Sequence, residues 1–76
     1  MQVKVIRQFI EFEDITDGDI DTRAGQIART YGGVYGHATD GAIGGIWFDN
    51  KPKEIIDIVI KELNAAGYVV TRIDYE

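Results

Sequence analysis

Val34-Tyr35-Gly36-His37-Ala38-Thr39-Asp40-Gly41-Ala42-Ile43-Gly44-Gly45-Ile46-Trp47-Phe48-Asp49 reads as a single hairpin. An Asp-Gly pair between two strand-like runs favours a two-residue turn, because both central positions need positive φ. That turn sets the pairing: Ala38 opposite Ile43, Gly36 opposite Gly45, and Val34 opposite Trp47, all on one side of the ribbon. Tyr35, His37, Gly44, Ile46 and Phe48 share the other side. The bulk of Trp47 assigns its own side, with Val34 and Ile43, to the interior. Tyr35, His37, Ile46 and Phe48 are then expected on an open sheet face. Gly36 across from Gly45 leaves a dip that a large ring, such as that of Tyr31, would fill.

A helical pattern flanks the hairpin on each side. Before it, Ile20, Ala24, Ile27, Ala28 and Tyr31 form one apolar stripe at helical spacing. Asp17, Asp19 and Asp21 stand at or near the start of that stripe, where carboxylates cap free N–H groups. Gly32-Gly33 ends it. After the hairpin, Asn50 is a candidate cap and Pro52 sits in the first turn, where its missing N–H costs nothing. Ile55, Ile56, Val59, Ile60, Leu63 and Ala66 make a broad apolar face, and Gly67 closes the helix.

Strand patterns lie outermost. Residues 2–13 are rich in Val, Ile and Phe without Gly or Pro. Their alternation is imperfect, which implies a bulge midway or partial cover on both faces. Residues 68–75 alternate between Val69, Thr71, Ile73, Tyr75 and Tyr68, Val70, Arg72, Asp74. The order is β-α-β-β-α-β, the α+β ferredoxin-like sandwich: an antiparallel four-stranded sheet with two helices on one face. Residues 1–76 are expected to form one domain.

Composition narrows the function. The 76 residues carry a net charge of −5 and contain no cysteine, one histidine and one tryptophan. No disulfide is available, and a cytoplasmic location is the expectation. The opening residues are broken by charge, which excludes a secretory h-region, and no apolar run reaches membrane-span length. A negative chain lacks the electrostatic footprint of a protein that binds nucleic acid or an anionic membrane directly.

The charge is concentrated. Glu11, Glu13, Asp14, Asp17, Asp19 and Asp21 fall within eleven residues free of Lys and Arg, and the rest of the chain is close to neutral. The segment fails as a calcium loop, since Thr22 stands where the turn needs Gly and Ala28 where the last ligand should be Glu. Lone His37 and the absence of Cys argue against zinc, so no metal or cofactor is expected. The glycines from Gly32 to Gly45 follow a helix and run through a hairpin, the wrong context for a phosphate loop. With no Ser and no Cys, the usual acyl-transfer nucleophiles are missing, and an enzyme is not expected.

The six carboxylates therefore stand as the candidate partner-binding site, facing a basic surface of a protein. Tyr35, His37, Ile46 and Phe48 are the candidate sheet-face interface, through which a homodimer is also an expectation. RNA-recognition modules share this topology, but none of their Lys/Arg-Gly-aromatic signature is present. Acylphosphatases share it too, with a phosphate-binding first loop that is here acidic. In size and charge the chain resembles phage-encoded inhibitors of host defence, anti-CRISPR proteins among them. That resemblance implies a small viral inhibitor that occludes a nucleic-acid channel on its partner. The alternative is an ACT-like regulatory domain that dimerises and binds a small ligand near the first loop and Gly18.

Overall fold

Which way the hairpin faces is decided by the strand it pairs with. The computed structural model describes residues 6–15, 22–38 and 41–75. The chain runs β1 (Arg7–Glu13), α1 (Arg23–Thr30), β2 (Val34–His37), β3 (Ile43–Asp49), α2 (Lys53–Ala65) and β4 (Val69–Tyr75). The sheet is antiparallel with order β2-β3-β1-β4, the ferredoxin-like arrangement. No described helix is long and apolar enough to cross a membrane.

The hairpin pairing is the one its turn specifies: Val34 with Trp47 and Gly36 with Gly45, while Ala38 N–H donates to the Ile43 carbonyl at 2.9 Å. The face is reversed. β1 pairs Ile10 with Ile46, Gln8 with Phe48 and Phe12 with Gly44, so these residues share the helix-covered side. Ile46 is 0% exposed and Phe48 2%, whereas Trp47 is 47% exposed and Val34 68%. Ile46 and Phe48 thus belong to the core, and Tyr35 and His37 point to the same side, half-buried. None of the four lies on the open face. The reversal follows because both hairpin faces are apolar, and residue size alone does not choose between them. Trp47 is large, and large rings are seldom completely buried.

β1 alternates without a break. Gln8, Ile10 and Phe12 are buried, and Arg7, Phe9, Glu11 and Glu13 take the open side. Gln8 disturbs the sequence pattern because it is a buried polar residue with both ends satisfied. Its Nε2 donates to the Lys51 carbonyl at 2.5 Å, and its Oε1 accepts from Lys51 N–H at 3.0 Å. The bulge lies in β4 instead. Glu11 pairs with Arg72 and Phe12 with Val70, leaving Thr71 as the extra residue, its hydroxyl 3.0 Å from Glu11 Oε1.

Ala24, Ile27 and Ala28 of α1 and Ile56, Val59 and Leu63 of α2 close over Ile10, Phe12, Ile46 and Phe48. α1 is capped by Thr22, whose side chain accepts from Gly25 N–H, and no acid occupies its first turn. A hydroxyl thus takes the capping role expected of an aspartate. Tyr68 packs edge-on against Phe12, and its hydroxyl accepts from Ala24 N–H at 3.2 Å. Both helices end in the same double hydrogen bond around a glycine. Gly33 N–H reaches the Ala28 carbonyl and Gly32 N–H that of Arg29, and Tyr68 and Gly67 repeat the pair on Leu63 and Asn64. Arg23 bridges Glu62 between the helices at 3.3 Å. Glu62, first as an acceptor for the Tyr31 hydroxyl, pushes that phenol above the ordinary tyrosine range.

Asn50 is a joint rather than a helix cap; Pro52 occupies the cap position of α2. Asn50 takes φ 56°, donates its N–H to the Ile6 carbonyl and accepts from Ile6 N–H through Oδ1, both at 2.8 Å. Asn50→Ala should cost about 2 kcal/mol, from the left-handed backbone and one lost hydrogen bond. Asn50→Gly should recover the backbone part. Urea unfolding of the two variants checks this, and equal losses would contradict it.

Candidate functional site: the open face of the sheet

Alternation along four paired strands assembles a helix-free surface from Val34 and Gly36, Ile43, Gly45, Trp47 and Asp49, Arg7, Phe9, Glu11 and Glu13, and Val69, Arg72 and Asp74. At its centre the Phe9 and Trp47 rings are cross-strand neighbours, centroids 4.7 Å apart and tilted by 30°. Cross-strand aromatic pairs are worth about 0.5–1.5 kcal/mol beyond their area.

The two glycines explain how these rings lie. A Cβ on Gly36 would fall 2.8 Å from Trp47 Cζ3, and one on Gly45 would collide with Phe9 Cε1. The rings therefore rest across a notch that only glycine provides. The dip expected from the Gly36–Gly45 pair is real, and Trp47 and Phe9 fill it, not Tyr31. Two shallow hollows flank the rings. One of about 220 Å³ runs past Ile43, Ala38 and His37, and one of about 260 Å³ lies between Arg7 and Asp74.

Charge rings the apolar centre unevenly. Glu11, Glu13, Asp49 and Asp74 outnumber Arg7 and Arg72, and Arg72 is held by Asp74 at 2.7 Å. The surface is thus negative at its rim and aromatic at its middle, a composition suited to macromolecular contact.

The six acids do not form one surface. Glu11 and Glu13 lie on the open face, on the same side of β1. Asp14 turns inward and is 1% exposed, with the Tyr35 hydroxyl donating to its Oδ2. It cannot present charge to a partner from that position. Asp17, Asp19 and Asp21 lie outside the described residues, as does the first-loop ligand site with Gly18. Among the described residues no three His, Asp or Glu side chains gather as metal ligands.

The chain matches no family model and no curated protein. The surface itself therefore carries the functional argument. Phe9 and Trp47 are not among the site residues expected from the sequence, which assigns Trp47 to the interior, whereas it is 47% exposed. The signal available was the paired glycines, which mark a place where rings lie flat on a sheet.

Proposed function

We propose that the protein is a non-enzymatic, cytoplasmic protein-binding module that lays its open sheet face on a basic surface of a protein partner. The observation that supports this reading is the half-exposed Phe9–Trp47 pair inside a rim with surplus acid. Tryptophan is the residue most enriched among interface anchors, and an acidic rim steers a basic partner in. Basic surfaces often belong to nucleic-acid channels, so occupying one would make the module an inhibitor, as the anti-CRISPR and other viral inhibitors do.

Size adds a constraint. Four strands about 4.8 Å apart, three of seven residues and β2 of four, give a face no larger than roughly 19 by 23 Å. That is smaller than the ~800 Å² each partner contributes to a standard interface.

The test is affinity capture from host lysate, followed by titration of the captured protein. Glu11→Gln with Glu13→Gln should slow association severalfold, more at low salt than at high, because steering is screened over about 8–10 Å at ordinary ionic strength. A partner that binds this variant as fast as wild type refutes the electrostatic reading. Sedimentation of the protein alone separates out the homodimer, in which a second copy would cover the same face.

A further inference from the structure

β4 is an edge strand. Among the described residues it pairs with β1 alone, so the outer side of its backbone presents N–H and C=O groups with no strand beside them. The opposite edge, β2, has four residues, whereas β4 has seven. Ile73 and Tyr75 pair with Ile10 and Gln8, which places them on the helix side of the sheet. The helices nevertheless leave them 42% and 49% exposed. Arg72 and Asp74 alternate with them on the open side, joined to each other at 2.7 Å.

We propose that β4 pairs with β4 of a second copy, antiparallel and centred on Ile73, joining two sheets into one. Symmetry and charge together select this register. In a two-fold contact the same patch meets itself, so residue i lies opposite j and j opposite i. Opposite residues of an antiparallel pair point to the same sheet face, so the axis passes through a residue and not between two. Beyond the irregularity at Thr71 the regular stretch is 72–75. An axis at Arg72 sets guanidinium against guanidinium, and one at Asp74 sets carboxylate against carboxylate; like charges directly opposite are destabilising. One at Tyr75 engages only the end of the strand. An axis at Ile73 sets Arg72 of each copy opposite Asp74 of the other, with Ile73 against itself on the helix side.

Arg-Ile-Asp is thus complementary to itself in the antiparallel sense. Charges on an edge strand usually keep sheets apart. Here they disfavour the competing registers and favour one. In a single copy the Arg72–Asp74 pair is exposed and worth little, and the second copy closes it into a ring of four alternating charges. The axis stands perpendicular to the sheet, so both Phe9–Trp47 pairs lie on the same side and the open face doubles in width. The edge contact leaves that face uncovered, and it stands whether or not the face binds a partner.

Sedimentation velocity from roughly 10 μM to 1 mM, the range of weak contacts, should show a reversible monomer–dimer equilibrium. Arg72→Asp and Asp74→Arg should each weaken self-association about tenfold or more, since each sets like charges opposite one another. The two single variants, mixed in equal amounts, should pair with each other, and Arg72→Asp combined with Asp74→Arg should restore the homodimer. Trp47→Ala, which leaves β4 untouched, should dimerise as wild type does. Circular dichroism checks the fold of each variant. A wild type that stays monomeric across the range overturns the proposal, even if a variant fails to fold. A dimer that survives both single variants, or that is lost in Trp47→Ala, overturns it too and places the second copy on the open face. Folded single variants that do not pair when mixed overturn it as well.

Discussion

Ile46→Lys is expected to unfold the protein. Ile46 is fully buried, paired with Ile10 on one side and Tyr35 on the other, in the row that both helices cover. Removing such a side chain costs about 2–5 kcal/mol, and burying an unpaired ammonium in its place adds more. A domain of this size holds only about 5–10 kcal/mol in total. Ile43→Lys, on the open face of the same strand, should leave the melting temperature within a few degrees of wild type. Circular dichroism and thermal melts of the pair decide the matter. A folded Ile46→Lys protein beside an unfolded Ile43→Lys protein would reverse the sheet.

Trp47→Ala should separate binding from stability. The ring is half in water and its main contact is Phe9, so its loss should cost about 1–2 kcal/mol and leave a folded protein. Truncating a central aromatic anchor typically removes 2 kcal/mol or more of binding, about thirtyfold in Kd. Trp47→Phe should restore most of it. Calorimetric titration of the captured partner, alongside a melt of each variant, gives both numbers. Unchanged affinity in Trp47→Ala would move the contact surface off the sheet.

Element order, both glycine-ended helices and the hairpin register were legible because each has its own local signal: Asp40-Gly41 for the turn, Gly32 and Gly67 for the helix ends. Facing was not, since Val34, Ile43 and Trp47 are as apolar as Tyr35, Ile46 and Phe48. Only the pairing of β3 with β1, a contact between distant residues, breaks that tie. Gln8 misled for a related reason, as its partner is a backbone group at Lys51. For Asp14 the acidic run suggested a solvent-facing charge. What draws it inward is Tyr35 on another strand, beside a glycine that leaves room.

The central place of β1 has a consequence for the nascent chain. It pairs with β3 and with β4, and the second pairing joins residues as far apart as Gln8 and Tyr75. Synthesis at about 5–20 residues per second leaves β1 without either neighbour for seconds. During that interval Phe9, Ile10 and Phe12 form an apolar strand with both edges open, the kind of segment that seeds aggregates. Glu11, Glu13 and Asp14 are interleaved with it and follow it, where like charges keep two such strands apart. The same carboxylates can thus guard the ribosome-bound chain before one of them is buried and two are turned outward.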